Sequence, residues 1–468
     1  MRELSQSLSF LRLPRLSGLV CLVCGRGFIQ CHGAVILFKW LCPVLILLAT
    51  WSAPAGDFIA GADLSHLSFF EARGVAYKDA GQAQDALPML KRRGVTCVRL
   101  RLFTSSAAQA QADPYNYINN LDYTLPLARR VKDAGFQFLL DFHYSDTWAD
   151  PGHQRKPNAW TNLTFTQLVQ QMHDYNSNSI AAFQAAGAMP DYVQIGNEIT
   201  SGMLWPDGRV GASYDTPAQW GHLGQLLSAA IQGIKEASGE LMPRIIIHID
   251  RGGDWTGTKW FFDNLAQQQV SFDVIGESYY PFWHGPLAGL SNCLTNAAQR
   301  YGKPIIVSET CFPWTNSAWG TNIVGLAPAP ASQVTFLAAL AAVESRLPTG
   351  LNGGLLWWGA EYQHLPGVNE AGFDSASFFD FEGNVLPVAQ AFGSLVMPPK
   401  LSADLNNGRL RLHWPLSNAG SYLITATNLV PLPLWLPLSN SIQTNANGFE
   451  LSLPGFSDAF RFYRLRTN

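Results

Sequence analysis

The chain has 468 residues and a formal net charge of −3 at pH 7. Charged residues make up 14% of it, against roughly 25% in an average soluble protein, whereas aromatic residues make up 12%. The hydrophobic share of 47% excludes a wholly disordered chain, and the small net charge excludes a polybasic nucleic-acid binder. A large core, a membrane protein or a groove for a neutral ligand with apolar faces would each explain this composition.

Residues 1–55 have the features of a secretory signal peptide. Residues 41–49 are apolar, but they are too few to span a bilayer, which takes about 20 helical residues. Lys39 precedes this run, and Ala53-Pro54-Ala55 offers a small-residue cleavage site before Gly56. The segment before it is unusually long, which suggests a later start such as Val35. We therefore expect a secreted protein, extracellular or periplasmic, with no stable membrane insertion after cleavage.

The cysteines do not form a disulfide framework. Four of the seven lie in the predicted leader, and Cys97, Cys293 and Cys311 remain, which allows at most one disulfide. No metal site can be assembled from these three residues, and none is predicted.

From Phe58 onward, short apolar runs alternate with helical patterns, which is typical of repeated β-α units. The predicted strands are Phe58–Ala62, Thr96–Phe103, Phe136–His143, Tyr192–Glu198, Arg244–Asp250, Asp273–Tyr280, Pro304–Glu309 and Gly354–Trp358. Helical periodicity is clearest in Leu121–Asp133, Leu163–Ala186, Trp220–Ser238 and Ser332–Leu347. Eight such strands predict an α/β fold, a (β/α)8 TIM barrel. An open doubly wound sheet is the alternative, but the first strand lacks a glycine-rich phosphate turn after it.

The barrel is predicted to occupy residues 56–396, followed by a linker at 397–400 that contains Pro398 and Pro399. Residues 401–468 have short alternating runs separated by Asn-Gly turns, which predict a small β-sandwich-like, all-β module. Within it, Trp414 and Trp435 could pack in the core or bind carbohydrate. Attachment to a cell surface or simple spacing are equally open roles for the module.

Catalytic residues of a barrel lie at the C-terminal ends of its strands. Two carboxylates, Glu198 and Glu309, end predicted strands of this charge-poor chain and would meet at the barrel mouth. A pair of carboxylates suits glycosidic bond cleavage, because one protonates the leaving oxygen while the other attacks or activates water. A structural ion pair with Arg99 or Arg101 is the alternative.

Three motifs make the chain resemble glycoside hydrolase family 53. They are Asp141–Pro151 (DFHYSDTWADP), Gln194–Ile199 (QIGNEI) with Leu204–Pro206 (LWP), and Ser278–Phe282 (SYYPF). This family comprises the arabinogalactan endo-β-1,4-galactanases, retaining (β/α)8 enzymes with catalytic glutamates at the ends of strands four and seven. The resemblance runs from about Phe58 to Phe392.

The resemblance implies a role for each matching residue. Glu198 would be the general acid/base, Glu309 the nucleophile, and Asn197 the partner of the sugar 2-OH. The expected donors to the Glu309 carboxylate are Arg99 or Arg101, together with Tyr279. Trp358 is expected to form the apolar floor under the sugar. Further expected substrate contacts are two histidines and four loop tryptophans: His143, His248, Trp148, Trp205, Trp283 and Trp314. For each of these six residues, packing in the core is the alternative.

The sequence also departs from the family pattern. Many relatives read Tyr-Trp-Glu-Pro-x-Trp after strand eight, where this chain has Trp357–Tyr362 (WWGAEY), so subsite contacts on this side are open. Glu277 is a third strand-end carboxylate, expected to face outward or to be paired. No calcium is predicted after strand seven, because no Asp or Glu occurs between Cys311 and Val343.

Together these features predict a secreted, cofactor-free, monomeric endo-glycosidase. Its expected partner is β-1,4-galactan in type I arabinogalactan, the neutral side chain of pectin. Binding to nucleic acid or to a membrane is not expected. Another retaining endo-β-glycanase with a different β-linked substrate is the first alternative. A non-catalytic polysaccharide-binding protein is the second.

Overall fold

The computed structural model describes residues 58–317, 325–348, 350–368 and 371–396, together with short segments nearer both ends of the chain. These segments are 29–31, 34–36, 401–406, 409–414, 421–426, 436–438, 442–445, 448–453 and 462–467. The chain divides into two compact units, Asp57–Val396 and a unit made of Met1–Gly56 with Met397–Asn468. The predicted linker and most of the predicted signal peptide lie outside the described residues. No helix among the described residues is long and apolar enough to cross a membrane.

Eight parallel strands close into a barrel, which confirms the predicted (β/α)8 fold. In chain order they are β1 Ile59–Asp63, β2 Cys97–Leu102, β3 Gln137–Phe142, β4 Tyr192–Ile195, β5 Arg244–Ile249, β6 Val274–Ser278, β7 Ile305–Thr310 and β8 Asn352–Trp357. Each strand pairs with the next, and β8 pairs with β1 to close the ring. Strand β4 is shorter than predicted, because its last three predicted residues form a turn at the barrel mouth.

Helices connect the strands and cover the barrel. They are α1 Leu67–Glu71, α2 Ala86–Arg92, α3 Ala107–Ala112, α4 Pro114–Tyr117, α5 Leu121–Asp133, α6 Phe165–Ala185, α7 Pro217–Ser238, α8 Trp255–Gln267, α9 Pro281–His284, α10 Leu287–Tyr301, α11 Pro330–Glu344 and α12 Pro387–Val396. Side chains that accept from backbone N–H groups fix several starts: Asn120 caps α5, Thr164 caps α6 and Thr216 caps α7. Because the caps are local, the sequence predicts these helices well.

Side chains inside the barrel are arranged in layers, because alternate residues of each strand point inward. An apolar cluster in the barrel takes one residue from each strand: Ile59, Cys97, Leu139, Tyr192, Ile246, Val274, Ile306 and Leu356. Two residues further along β2, β3 and β5 stand the buried polar residues Arg99, Asp141 and His248. The barrel therefore changes from an apolar plug to a polar layer toward its C-terminal mouth.

The described residues of the second unit form two antiparallel sheets. One contains β9 Ser402–Asn406, β10 Arg409–Trp414, β14 Gly448–Leu453 and β13 Gln443–Asn445, in that order. The other contains Ile29–Cys31, Ala34–Ile36, β15 Phe462–Thr467, β11 Ser421–Ala426 and β12 Leu436–Pro437. Two of these strands thus come from the predicted leader.

Trp414 belongs to the core of this unit. Its side chain is 2% exposed and stacks on Phe449, with ring centroids 5.8 Å apart. Core packing is therefore the correct alternative for Trp414, whereas Trp435 lies outside the described residues.

Candidate active site

A strained turn presents Glu198 at the barrel mouth. Gly196 has φ +80°, and a Cβ at this position would come within 2.5 Å of Ile199, so only glycine fits. Glu198 itself has φ 48° and ψ 50°, a left-handed conformation that costs a non-glycine residue about 1–3 kcal/mol. Strain of this kind concentrates at functional sites. The turn brings Asn197 and Glu198 to the mouth directly after β4.

Glu309 is brought to the same mouth by an irregularity in β7. The register between β6 and β7 shifts so that Ser278 pairs with Glu309 rather than with Ser308. The Glu309 side chain accepts a hydrogen bond from the Arg99 guanidinium at 2.8 Å and another from the Tyr280 hydroxyl at 2.9 Å. Both carboxylate oxygens are therefore held in place, and the residue is only 6% exposed.

Arg99 organises the buried layer beneath the mouth. Besides Glu309, it donates to Asp141 at 2.7 Å, to Asn197 at 2.8 Å and to Asp63 at 3.2 Å. Burial alone would raise the pKa of Asp141, but Arg99 and His143 lower it to about 2. Arg99 is thus surrounded by acceptors and fixes residues from four strand ends relative to one another.

Two histidines are hydrogen-bonded into this layer. His143 accepts from the Ala149 backbone N–H at 2.9 Å through Nδ1, so its Nε2–H donates to Asp141 at 3.0 Å. His248 lies with Nε2 2.8 Å from the Ser278 hydroxyl and Nδ1 3.1 Å from the Asn197 amide oxygen. Burial and the nearby Arg99 lower the pKa of His248 well below its usual value, so this ring is neutral.

The two glutamates differ in their electrostatic environment. Burial raises the pKa of Glu198 well above its ordinary value, and the carboxylates of Glu309 and Asp250 raise it further. Burial also raises the pKa of Glu309, but Arg99 and the Tyr280 hydroxyl act in the opposite direction. Glu309 is consequently the first of the pair to ionise, while Glu198 keeps its proton to higher pH.

Both glutamates open into one cavity of about 560 Å³, here called the groove. Trp148 and Trp358 form part of its wall, with ring centroids 6.2 Å apart and the Arg101 guanidinium against both rings. Trp283 also lines it and is 59% exposed. Its other lining residues include Tyr115, Asn116, His143, Ala149, Asp150, Asn197, Asp250, Tyr280, His284 and Phe373. Aromatic faces with a few polar groups suit a carbohydrate chain.

The expectation that Tyr279 holds Glu309 is wrong. The Tyr279 hydroxyl donates to the Gly285 carbonyl at 2.7 Å, and the neighbouring Tyr280 contacts Glu309 instead. The alternation of side chains along β6 points to Tyr280 rather than Tyr279, because Val274, Gly276, Ser278 and Tyr280 share one side of the strand. Tyr280 is therefore the residue that sequence reasoning missed, together with Ser278 and Asp141.

The sequence allows either Arg99 or Arg101 as the partner of Glu309, and in the structure the contact belongs to Arg99. Arg101 instead lies 2.6 Å from the His66 ring nitrogen and 3.3 Å from Asp63. Both arginines are buried, but their different heights in the barrel give them different partners.

Two of the expected groove tryptophans lie elsewhere. The Trp205 indole donates to the Ser201 carbonyl at 2.9 Å and stacks against Arg209, outside the groove lining. Trp314 donates to the Asp374 carbonyl and packs on Phe381, with ring centroids 4.8 Å apart. These two residues therefore do not line the groove.

Glu277 lies apart from the catalytic pair. It is fully buried and accepts from the Thr258 hydroxyl at 2.9 Å and the Arg251 backbone N–H at 3.0 Å. Its role is to fix the loop that follows β5.

The described part of the chain contains neither a disulfide nor a group of side chains placed to hold a metal ion. Cys97, Cys293 and Cys311 are buried and free. Among the described residues, no group of three or more His, Cys, Asp or Glu is placed to hold a metal ion. Residues 318–324 of the loop after β7 lie outside the described residues, so the absence of calcium there stays a prediction.

Comparison with known proteins decides the family. The sequence model of glycosyl hydrolase family 53 matches residues 59–392. This chain belongs to glycosyl hydrolase family 53. It is therefore a glycoside hydrolase, and the resemblance noted in the sequence is confirmed.

Several relatives are named as galactanases or probable galactanases. The chain is 36% identical to a protein from Neosartorya fischeri named probable arabinogalactan endo-β-1,4-galactanase A, over 68% of this chain and 88% of that one. It is 34% identical to the arabinogalactan endo-β-1,4-galactanase of Thermothelomyces thermophilus, over 68% of this chain and 94% of that one. Among solved structures, the family 53 catalytic domain of Ignisphaera aggregans matches with TM-score 0.64 and 34% identity, covering 72% of this chain and 96% of that one.

Proposed function

We propose that this family 53 hydrolase is a secreted endo-β-1,4-galactanase that works with retention of anomeric configuration. The observation that carries the proposal is the pair of glutamates in one groove with opposed surroundings. Glu309 is held by a cation and a hydroxyl donor, whereas Glu198 is half-buried and near other carboxylates. This difference suits an ionised nucleophile beside a protonated acid.

The chemistry follows from these two states. A Glu309 oxygen attacks the anomeric carbon while the bond to the leaving sugar breaks and Glu198 transfers its proton to the departing oxygen. Water then attacks the galactosyl–Glu309 ester, Glu198 takes the proton from this water, and Glu309 leaves as a carboxylate. Proton and bond count balance over the two steps, so no cofactor is needed.

The galactan substrate is supported by the names of the relatives and by the character of the groove. Its walls carry Trp148, Trp283 and Trp358, whose flat faces suit the apolar faces of uncharged sugars. Asn197 is placed beside Glu198 and is fixed by Arg99, which suits it to hydrogen-bond a sugar hydroxyl at the cleavage point.

The test compares polymers. Purified protein is incubated with β-1,4-galactan, mannan, xylan and cellulose while new reducing ends and early product lengths are measured. We expect release of mixed oligosaccharides from galactan alone, with the β-anomer appearing first by proton NMR. Cleavage of mannan or cellulose but not galactan would contradict the substrate, α-anomers would contradict retention, and binding without cleavage would favour the non-catalytic alternative.

Secretion and a monomeric state are parts of the same proposal. The leader features of residues 39–55 support export, and cleavage before Gly56 would remove the two strands that residues 29–36 contribute to the second unit. N-terminal sequencing of protein from the culture medium should find Gly56 first. Light scattering of this material should give the mass of one chain.

A further inference from the structure

A second cavity, here called the side cavity, adjoins the groove near Glu198. Its volume is about 330 Å³. Thr200 lines the side cavity and Asp250 lines the groove, and the Thr200 hydroxyl donates to the Asp250 carboxylate, so this pair forms the boundary between them. Because Thr200 follows Glu198 by two residues, the side cavity lies next to the residue proposed to protonate the departing sugar.

Arg209 presents a preorganised guanidinium to the side cavity. Its central carbon lies 4.2 Å from the centroid of the Trp205 ring and 4.6 Å from that of the Tyr214 ring. Within the described part of the chain, its guanidinium makes no ion pair and no hydrogen bond. The two rings therefore fix the plane of the group while its N–H donors are not used by another side chain.

Arg251 supplies a second guanidinium with weak partners. Its nearest carboxylate oxygens, on Asp250 and Asp254, are 3.7 Å and 4.0 Å away, which is beyond hydrogen-bond distance. Its side chain is 40% exposed, and Glu277 fixes its backbone N–H. It therefore has donors for a ligand as well.

The carboxylate of the side cavity, Asp215, already has partners. It accepts from the Trp220 indole at 2.8 Å and from the Trp260 indole at 3.1 Å. These bonds hold the Trp260 ring against Gly211, where a Cβ would lie 3.3 Å from the ring. The side cavity thus combines an oriented indole with two arginines and an acidic group that is already hydrogen-bonded.

We propose that the side cavity binds a sugar unit that carries a carboxylate, of the uronic acid class, on the leaving-group side of the cleaved bond. Arginine pairs with carboxylates through two parallel hydrogen bonds, and an indole face accepts a sugar ring. The inference rests on the proposed function, because the leaving-group side is defined by Glu198 as the acid. A wholly neutral chain offers these guanidinium groups only hydroxyl oxygens, which accept weaker hydrogen bonds than a carboxylate does.

The test uses galacto-oligosaccharides of equal length that differ only at C6 of the reducing-terminal sugar, which is either a hydroxymethyl group or a carboxylate. Several lengths are compared, and kcat/KM and the position of the cleaved bond are measured. For the wild type we expect kcat/KM about tenfold higher for the carboxylated member of a pair. We also expect cleavage at a fixed number of units from the acidic sugar, and a preference that weakens as salt is raised.

Arg209→Gln should reduce the ratio of the two kcat/KM values to about one and scatter the cleavage positions. Lys235→Gln is the matched control, because it removes one positive charge from an exposed position on α7 and should leave the ratio unchanged. Arg209→Lys keeps the charge without the planar fork, so it should keep only part of the preference. Melting temperatures identify a variant that fails to fold, and Arg251→Gln then takes its place.

A ratio near one in the wild type, or a ratio that persists in Arg209→Gln, would overturn the inference. An equal loss on both substrates in Arg209→Gln would also overturn it, because the side cavity would then bind a neutral sugar. The neutral oligosaccharide tests the proposed function separately: its cleavage without any preference contradicts only the side cavity, whereas cleavage of neither substrate contradicts the galactanase itself.

Discussion

The structure and the sequence name different tyrosines as the hydroxyl donor to Glu309: Tyr280 in the structure, Tyr279 in the sequence-based prediction. Tyr280→Phe tests which of them is correct. It removes only the hydroxyl that donates to Glu309 at 2.9 Å and leaves the ring that lines the groove. Tyr279→Phe is its matched control, since this hydroxyl donates to the Gly285 carbonyl at 2.7 Å instead.

The size of the effect follows from the type of bond. A hydrogen bond to a charged group contributes about 1.5–3 kcal/mol, and one pKa unit corresponds to about 1.36 kcal/mol. The Tyr280 hydroxyl lowers the pKa of Glu309, so its removal should raise this pKa. Because Glu309 must be ionised to attack, the acidic limb of the kcat/KM profile should move to higher pH, and the energy of the lost bond corresponds to a displacement of about 1–2 pH units.

The assay is the release of reducing ends from galactan, measured as kcat/KM across the pH range for both variants. Tyr280→Phe should also lower kcat/KM at the optimum by about tenfold or more. Tyr279→Phe should keep the wild-type profile and lose only about 1 kcal/mol of stability. An unshifted acidic limb in Tyr280→Phe, or a larger shift in Tyr279→Phe, would refute this view of Glu309.

Three further substitutions test other parts of the structure. Arg99→Leu leaves the buried carboxylates of Asp141 and Glu309 without their arginine, so the free energy of unfolding should fall by about 3–5 kcal/mol; an unchanged melting temperature would contradict the network. Glu344 is fully buried with no hydrogen-bond partner for either carboxylate oxygen among the described residues, and burial raises its pKa. Even when protonated, this carboxyl is a buried polar group without a partner, so Glu344→Met should stabilise the fold by about 1–3 kcal/mol at pH 4. Because the folded pKa lies above the unfolded one, Glu344 destabilises the fold further as pH rises above about 4.3, so the gain should be larger at pH 7; a gain that does not grow with pH would count against this reasoning. Trp283→Ala should raise KM for polymeric galactan several-fold with little change in kcat, and a pure kcat effect would show that Trp283 does more than bind the chain.

The barrel and its catalytic pair could be predicted because their signals are local. Each strand is a short apolar run bounded by turns, and helices such as α5 and α6 carry their own capping residues. Glu198 and Glu309 were identified from their places at strand ends and from the family motifs. These features depend on neighbours in the sequence and do not require knowledge of the packing.

The donors around Glu309 depend on packing instead. Arg99 and Arg101 point to the same side of β2, and only their height in the barrel decides which one reaches the carboxylate. In β7 a register shift turns Glu309 toward the mouth, and no sequence pattern specifies that shift. Tyr280 could have been found from the alternation along β6, whereas the side cavity could not, because it is formed by irregular loops after β4 and β5 and by α8.

Trapping the covalent intermediate would test the central claim most directly. The protein is incubated with a 2-deoxy-2-fluoro-β-galactoside that has an activated leaving group, because the fluorine slows both steps and the good leaving group lets the intermediate accumulate. Intact mass should increase by one fluorogalactosyl group, and peptide mapping should place it on Glu309. A label on Glu198, or rapid turnover of the same compound with no covalent adduct at any time point, would contradict the assignment of Glu309 as the nucleophile.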